Sequence, residues 1–418
     1  PRRDKYDLKY YVDMAKELAA AGANIIAIKD MAGLLKPEAS YRLVSALKDA
    51  VDLPIHLHTH EGSGNAIHTY ARAVDAGVDI VDTAMSAMSC GTSQPSGSSL
   101  YYALSGHPRQ PRVDVDAMNE LSRYWETVRP YYKAADQTEL FPNPEVYVHE
   151  MPGGQYTNLK QQATALGLIE RWEEVKDMYH RVSMMFGDLI KVTPSSKIVG
   201  DMALFMVQND LSEEDIYAKG DVLDFPASVV EFFEGRIGVP YQGFPQKLQQ
   251  IVLKGRKPLE GRPGDTLPPV NFEEIKAKLA ELEAPITEEA VSSYCLYPKV
   301  FTDWVKRVHD FGDVSVLDTP TFFFGMKIGE EIKVEIEQGK MLVIKLVHIG
   351  EANADGIRTV SFEFNGLPRE IDIKDRNVKA TNISRKKADK ANQGEIGATL
   401  SGSVVKVLVE KGQAVTKG

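Results

Sequence analysis

The segment Leu53-Pro54-Ile55-His56-Leu57-His58-Thr59-His60 decides the predicted fold, because it has the form of a short apolar strand that ends in polar residues. Residues 23–30 and 78–83 have the same form and end in Lys29-Asp30 and Asp82-Thr83. Helical periodicity occupies residues 6–21, 37–50 and 65–76. Short strands that alternate with helices of about 10–15 residues indicate βαβ units in a parallel sheet.

Polar residues at the strand ends favour a β/α barrel, because the active site of a barrel forms at the carboxyl ends of its strands. An open doubly wound sheet obeys a similar rule and is the alternative. No glycine-rich phosphate-binding turn follows any of the three strands. We therefore predict an α/β fold that contains part of a TIM (β/α)8 barrel.

The rest of the sequence divides into a helical part and a β-rich part. Residues 115–310 are mostly helical in pattern, with the main segments at 118–132, 159–166, 170–189, 196–209 and 272–282. Strand-like segments follow at 321–324, 333–336, 341–346 and 359–364, which predict a small antiparallel unit with Phe322-Phe323-Phe324 in its core. A polar linker at 376–394 precedes a last β segment at 397–418.

Composition argues against some functions. The formal net charge of −10 disfavours binding to nucleic acid or to an anionic membrane, and no apolar run is long enough to cross a bilayer. The two cysteines, Cys90 and Cys295, fit a reducing compartment better than a disulfide framework. Because the sequence opens with Pro1 rather than Met, we expect its natural N-terminus to lie upstream.

His58 and His60 are the strongest candidates for a metal site. Residues i and i+2 of a strand point to the same face, and two imidazoles on one face can chelate a divalent ion such as Zn²⁺ or Mn²⁺. His56 shares that face at a deeper level. The alternative is that these histidines are packed or exposed without binding a ligand.

Lys29 ends an otherwise apolar strand, where burial would lower the pKa of its amine. A neutral amine can attack a carbonyl, or it can take up carbon dioxide to form a carbamate that joins the histidines as a metal ligand. The alternative is a salt bridge with Asp30.

Two loops lead into predicted helices. In Thr193-Pro194-Ser195-Ser196-Lys197 the simplest role of a hydroxyl is to cap the helix. Residues 151–159 contain Gly153-Gly154, which either form a turn or bring backbone to the wall of a pocket.

Several segments together resemble the carboxyltransferase domain of the biotin-dependent carboxylases, and of the pyruvate carboxylases in particular. The segments are 28–37, 56–60, 92–95, 151–159 and 193–197. The loop Pro152-Gly153-Gly154-Gln155-Tyr156-Thr157-Asn158 is close to the pyruvate carboxylase form. The resemblance covers essentially the whole chain and ends in residues 397–418, which look like the opening strands of a biotinyl domain.

The resemblance implies four parts. They are residues 1–115, the second half of a carboxyltransferase barrel; 116–317, a helical extension and linker; 318–385, a tetramerisation and allosteric domain; and 390–418, a truncated biotin carrier domain.

The resemblance also implies a ligase that takes part in anaplerosis and gluconeogenesis. Carboxybiotin would release carbon dioxide, and the enolate of pyruvate would take it up to form oxaloacetate. A Mn²⁺ or Zn²⁺ ion would be held by His58, His60 and Lys29 as its carbamate, together with an aspartate upstream of this sequence.

Three further residues acquire roles from the resemblance. Thr193 would move a proton between pyruvate and biotin, and Ser196 and Lys197 would lie beside the biotin ring. The substrate-binding arginine and the biotinyl lysine are expected outside this sequence, as is the domain that uses ATP, Mg²⁺ and bicarbonate. We therefore expect the chain alone to be inactive.

The implied partners are a biotin carrier domain, three further copies in a homotetramer, and an acetyl-CoA or cyclic dinucleotide effector. The implied location is the cytoplasm of a bacterium or the mitochondrial matrix of a eukaryote. Three alternatives stay open: the carboxyltransferase subunit of oxaloacetate decarboxylase or transcarboxylase, a metal-dependent aldolase or lyase on a related barrel, and a piece that serves only assembly.

Overall fold

The computed structural model describes residues 4–133, 136, 141–353, 355–375, 409 and 412–414. The chain divides into two units, Pro1–Cys295 and Leu296–Gly418. The predicted linker at 376–394 and nearly all of the predicted biotinyl segment lie outside the described residues. No helix in the described part of the chain is long and apolar enough to cross a membrane.

Three βα repeats open the first unit. The strands β1 (Ile26–Asp30), β2 (Ile55–Thr59) and β3 (Ile80–Val81) are parallel and lie in the order β1-β2-β3. The accompanying helices are α1 (Leu8–Ala20), α2 (Pro37–Ala50), α3 (Ala66–Asp75) and α4 (Gly97–Ala103). Strands in sequence order are the arrangement of a barrel, whereas a doubly wound sheet reverses its order at a switch point.

The alternation of side chains along β2 gives its sheet two different faces. Ile55, Leu57 and Thr59 are buried on the face that the helices cover, and Ile55 and Leu57 belong to a core shared with α1 to α4. His56 and His58 lie on the opposite face and are only half-buried. The strand pattern therefore sends apolar groups to the helices and imidazoles to what would be the barrel interior.

Lys29 is exposed, so the prediction that it is buried was wrong. The reason is that β1 pairs only with β2 and forms an edge of the described sheet. Lys29 forms no salt bridge with Asp30 within that sheet, because the Asp30 carboxylate accepts hydrogen bonds from the backbone N–H groups of Leu34 and Leu35, each at 2.9 Å. The parallel register pairs Lys29 with His58, which places both side chains on one face.

Helices make up the rest of the first unit. They are α5 (Val115–Val128), α6 (Val146–His149), α7 (Gly153–Ala165), α8 (Trp172–Met185), α9 (Ser195–Gln208), α10 (Glu213–Lys219), α11 (Ala227–Glu234), α12 (Gln246–Leu253), α13 (Phe272–Glu281) and α14 (Glu288–Leu296). A second apolar core joins α7 to α12, and α9 is buried on most of its surface within it. The helical segments predicted from the sequence are confirmed.

The second unit contains α15 (Pro298–Phe311), α16 (Thr319–Phe324) and an antiparallel sheet. The sheet has the order β4 (Glu331–Glu337), β5 (Lys340–Ile349), β6 (Ile357–Phe364) and β7 (Leu367–Lys374). Three of these strands were predicted. The sequence analysis missed β7, although Ile371 and Ile373 alternate with polar residues in it; all of its residues are exposed.

The segment at 321–324 is a helix, so its prediction as a strand was wrong. The side chain of Asp318 accepts a hydrogen bond from the backbone of Thr321, and Pro320 occupies the first turn. A cap and an N-terminal proline are strong helix-start signals, and they outweigh the strand preference of phenylalanine. Phe322, Phe323 and Phe324 are exposed by 41%, 39% and 65%, so they do not form the predicted core.

Tyr70 joins α3 to the two strand ends next to it, and removing its hydroxyl should destabilise the first unit. The buried hydroxyl donates to the carbonyl oxygen of Asp82 at 2.7 Å and accepts from the backbone N–H of Thr59 at 3.1 Å. Tyr70→Phe leaves both backbone groups without this partner, so we expect a loss of about 2 kcal/mol in the free energy of unfolding, measured by urea titration. The control is Tyr124→Phe, at a residue that is 59% exposed. Equal losses in both variants would contradict the role of Tyr70.

Candidate functional site

His58 and His60 bring two ring nitrogens together at the carboxyl edge of the sheet. Their Nε2 atoms are 3.2 Å apart. Two nitrogens that bind one ion at about 2.1 Å, with an angle between about 90° and 109°, are separated by about 3.0–3.4 Å. The spacing of the pair therefore fits a single divalent ion.

The hydrogen-bond partners of the Nδ1 atoms of His58 and His60 also indicate metal binding through Nε2. His60 Nδ1 lies 2.6 Å from the carbonyl oxygen of Thr92, which can only accept, so Nδ1 carries the proton and Nε2 keeps a lone pair. Burial lowers the pKa of His60 and favours its neutral form. His58 Nδ1 lies 2.8 Å from the Asp82 carboxylate. Such carbonyl and carboxylate partners are typical of imidazoles that bind a metal.

Asp82 follows β3 and contacts two histidines of β2. Its second carboxylate oxygen lies 2.8 Å from His56 Nε2. Burial opposes the ionisation of Asp82, but the hydrogen bonds from His58 and His56 outweigh it and lower the pKa of the carboxyl group. Asp82 therefore stays an anion that orients both rings.

The donor set fits a divalent ion but is incomplete in the part of the chain that is described. Two unprotonated Nε2 atoms that face each other repel unless a cation or a proton lies between them. However, no group of three or more His, Cys, Asp or Glu side chains in the described ranges is placed to hold an ion. Lys29 is the neighbouring side chain on the same face that could add a ligand after carbamylation.

The glycine loop, as residues 151–159 are called here, packs directly against this histidine pair. It consists of Met151-Pro152 and the first residues of α7, so the prediction that the whole segment is a loop was wrong. The backbone N–H of Gly153 donates to the carbonyl oxygen of Met31 at 3.1 Å. A Cβ atom at position 153 would lie 2.7 Å from the Thr92 carbonyl oxygen and 3.0 Å from His60 Nδ1. The loop backbone thus lies at the wall of the site, and glycine is required for that close approach.

Thr193 does not cap α9, so that interpretation was wrong. The cap position is Pro194, and no side chain caps this helix. The nearby turn is closed by Ser195, whose hydroxyl lies 2.6 Å from the carbonyl oxygen of Ile190 and accepts from the backbone of Val192. Thr193 itself is exposed, and its hydroxyl forms no hydrogen bond with a described residue.

Ser196 and Lys197 are adjacent on α9 but have different surroundings. Ser196 is buried, and its carbonyl accepts a hydrogen bond from Tyr179. Lys197 is exposed, and its Nζ lies 2.5 Å from the Asp201 carboxylate. Only Lys197 therefore presents a charged group at the surface.

A buried ion pair connects the Thr193 segment to the glycine loop. Lys191 Nζ lies 3.0 Å from Glu150 Oε2 and 3.2 Å from Ser183 Oγ, and the lysine side chain is 8% exposed. Glu150 directly precedes Met151 of the loop, and Lys191 lies two residues before Thr193. The pair therefore links Thr193 to the loop that contacts His60.

The sequence analysis did not assign roles to Asp82, Thr92, Glu150 or Lys191. Asp82 was visible as a polar residue at a strand end, and the parallel order of β2 and β3 was the signal that could have paired it with the histidines. The other contacts join residues far apart in sequence, for which no local pattern exists.

Two family profiles match the chain. A profile described as HMGL-like matches residues 2–124, and one described as a conserved carboxylase domain matches residues 146–345. The chain is 58% identical over 417 residues to the pyruvate carboxylase of Bacillus subtilis (strain 168), covering 100% of this chain and 36% of that protein. It is 45% identical over 422 residues to the mitochondrial pyruvate carboxylase of Rattus norvegicus, again covering 36% of it. The chain thus spans about a third of the length of these relatives.

Solved structures give the same match. The carboxyl transferase domain of Rhizobium etli pyruvate carboxylase is 49% identical, with a TM-score of 0.85, and the match covers 90% of this chain and 63% of that one. The same domain solved with pyruvate and biocytin matches with a TM-score of 0.85 at 49% identity, over 89% of this chain and 63% of that one. Together with the HMGL-like match, this confirms an α/β fold of TIM-barrel type followed by a small antiparallel sheet.

Removing the charge of Asp82 should weaken metal binding in the full-length protein. Asp82→Asn keeps the size of the side chain but loses the anion that orients His58, so we expect the affinity for Mn²⁺ or Zn²⁺ to fall about 10–100-fold. Competition with a chelator measures this affinity without an activity assay. Asp75→Asn removes an exposed carboxylate that pairs with Arg72 and should leave the affinity unchanged.

The double variant His58→Ala, His60→Ala should have the lowest metal affinity of these variants. It should retain no ion by elemental analysis, because it lacks both nitrogen ligands. Full metal occupancy in the double variant would show that the ion binds elsewhere.

Breaking the buried pair between Glu150 and Lys191 should destabilise the first unit. Glu150→Gln leaves a buried ammonium without its anion, so we expect a loss of about 3 kcal/mol in the free energy of unfolding. The control Glu174→Gln breaks an exposed pair with Arg171 and should have little effect. The exchange Glu150→Lys, Lys191→Glu should recover part of the loss. No recovery would mean that the pair does not act as a unit.

Proposed function

Because this chain belongs to the pyruvate carboxylase family, we propose that it supplies the carboxyltransferase part of such an enzyme. In this reaction carboxybiotin gives up carbon dioxide, and the enolate of pyruvate takes it up to form oxaloacetate. The observation that carries the proposal is the convergence of His58 and His60 at the carboxyl edge of a barrel-type sheet. The similar domain solved with pyruvate and biocytin supports these two ligand classes.

We assign the metal ligands of this chain to His58, His60 and Lys29, the lysine as its carbamate. A bound Mn²⁺ or Zn²⁺ supplies Lewis acidity toward an oxygen of the substrate. The place of Lys29 beside His58 in the register puts it on the ligand face. Asp82 and Thr92 hold the two imidazoles in the tautomers that leave Nε2 available.

Thr193 is proposed to carry the proton from the methyl group of pyruvate to the biotin enolate. A hydroxyl can both accept and donate a proton, and that of Thr193 is exposed and has no hydrogen bond to a described residue that would have to break. Ser196 and Lys197 are proposed to lie beside the biotin ring. The exposed ammonium of Lys197 suits contact with a polar ring. Ser196 is buried, so it can contact only a ligand that enters the interface between α9 and its neighbouring helices.

The nearest alternative is the carboxyltransferase subunit of an oxaloacetate decarboxylase or transcarboxylase. The sheet β4 to β7 favours the pyruvate carboxylase hypothesis, because the curated pyruvate carboxylase relatives match through it. A metal-dependent lyase accounts for the HMGL-like repeats but not for residues 146–345. A role in assembly alone accounts for neither the histidine pair nor its partners.

The wider organisation is proposed on the same basis. The four parts are residues 1–115, 116–317, 318–385 and 390–418, of which the last would open a biotin carrier domain. The complete enzyme would use biotin, ATP, Mg²⁺ and bicarbonate, form a homotetramer and respond to acetyl-CoA or a cyclic dinucleotide. It would work in the cytoplasm of a bacterium or in a mitochondrial matrix, where the free thiols of Cys90 and Cys295 stay reduced.

Substitution of Thr193 tests the proposed proton transfer in the full-length protein. We expect Thr193→Ala to reduce oxaloacetate formation by about 10²-fold or more, because the carrier of the proton is lost. ATP cleavage should persist, since it takes place in another domain. Thr193→Ser should retain a measurable rate because it keeps the hydroxyl.

The stability of the alanine variant provides the control. Because Thr193 is exposed and caps no helix, its replacement should leave the urea midpoint unchanged. Near-normal oxaloacetate formation by Thr193→Ala would contradict the proposed role of Thr193 in proton transfer.

A further inference from the structure

The segment that leads to Thr193 has its charged side chain inside and its apolar side chains outside. Ile190 and Val192 are exposed by 48% and 37%, whereas the side chain of Lys191 between them is 8% exposed. Hydrophobic burial favours the opposite arrangement, with the apolar groups inside and the ammonium in water. The contacts that Lys191 makes inside the protein therefore determine how this segment lies.

Lys191 contacts two partners, and one of them has an unfavourable backbone conformation. Its Nζ lies 3.0 Å from Glu150 Oε2 and 3.2 Å from Ser183 Oγ of α8. The φ angle of Glu150 is 54°, which is the left-handed region that favours glycine over residues with a side chain. Both members of the ion pair thus lie in locally unfavourable settings, and the contact between them offsets this.

The two ends of the ion pair differ in how firmly the rest of the structure holds them. On the Glu150 side, the glycine loop packs against His60 and is hydrogen-bonded through Gly153 to the turn after β1. On the Lys191 side, residues 189–193 belong to no helix or strand. The loop is therefore the fixed end, and Lys191 takes its position from it.

The contacts on the other side of Thr193 hold it to a different part of the structure. The hydroxyl of Ser195 bonds to the carbonyl oxygen of Ile190, and the hydroxyl of Tyr179 donates to the carbonyl oxygen of Ser196. These contacts hold the start of α9 against its own turn and against α8. The ion pair, by contrast, holds the segment to the loop at the wall of the proposed metal site.

We propose that Lys191 is a positioning residue for proton transfer, because its ion pair with Glu150 sets the distance between the Thr193 hydroxyl and the proposed metal site. This inference rests on the proposed role of Thr193. Proton transfer requires close approach of donor and acceptor, and a misplacement of about 1 Å can reduce a rate about 10²-fold. Lys191 itself does not exchange the proton.

An apolar replacement of the whole pair separates positioning from stability in the full-length protein. Lys191→Met alone leaves the Glu150 carboxylate without its partner and should lower the urea midpoint. The double variant Lys191→Met, Glu150→Met removes both charges, and replacing a buried ion pair by apolar groups of similar volume is often neutral or stabilising. We therefore expect the double variant to have a urea midpoint close to that of the unsubstituted protein.

The kinetics of the double variant test the inference. We expect kcat for oxaloacetate formation to fall about 10²-fold with KM for pyruvate unchanged, because methionine side chains do not hold Thr193 at one distance. Proton transfer then becomes the slow step, so deuteration of the pyruvate methyl group should slow the double variant more than the unsubstituted protein. Metal affinity, measured by competition with a chelator, should not change, because the pair does not contact His58 or His60.

Two further variants complete the comparison. Leu248→Ala removes a buried side chain of α12 in the second core, so it lowers stability without touching the ion pair. It should leave the isotope effect unchanged. Glu150→Asp keeps both charges and shortens one side chain by a methylene, so it should raise the isotope effect by a smaller amount, and it provides the same test if the double variant does not fold.

The outcomes separate this inference from the proposed function. A normal kcat and isotope effect in the double variant, or a normal isotope effect in Glu150→Asp, would overturn the positioning role of Lys191 while leaving the carboxyl transfer intact. Normal oxaloacetate formation by Thr193→Ala would instead overturn the proposed proton transfer, and the positioning role with it.

Discussion

The carboxylate of Asp82 is the contact on which the geometry of the site depends. Its two oxygens bind His56 and His58, which are successive residues on one face of β2, while its backbone carbonyl binds the hydroxyl of Tyr70. One residue therefore joins the end of β3, the polar face of β2 and the helix that follows β2. A strand end with this many partners cannot shift in register without losing all three hydrogen bonds.

Local sequence patterns predicted the parts of the fold that depend on near neighbours. The alternation along β2 placed its imidazoles on one face, and the prolines and glycines marked helix ends correctly. Lys29 was misjudged because the burial of a strand residue depends on the strands beside it, and β1 has one neighbour in the described sheet. At residues 321–324 an aspartate cap, invisible to a strand pattern, determined the outcome.

The candidate site was predictable to the same extent. His58 and His60 are two residues apart, so one short segment of sequence was enough to predict that their imidazoles lie on one face and can bind the same ion. Their partners Asp82 and Thr92 are more than twenty residues away and are brought close only by the sheet and the loop after β3. The connection from Thr193 to His60 passes through Lys191, Glu150 and the glycine loop, and no local periodicity contains it.

The close approach of Gly153 to the backbone of Thr92 limits which substitutions can be accepted during evolution. The atom nearest to a side chain at this position is the carbonyl oxygen of Thr92, which belongs to the backbone. A clash between two side chains can be relieved by shrinking either of them, but no substitution at position 92 removes a carbonyl oxygen. Position 153 therefore has no single compensating partner, and neutral drift and directed evolution both have to leave it unchanged or rebuild the loop as a whole.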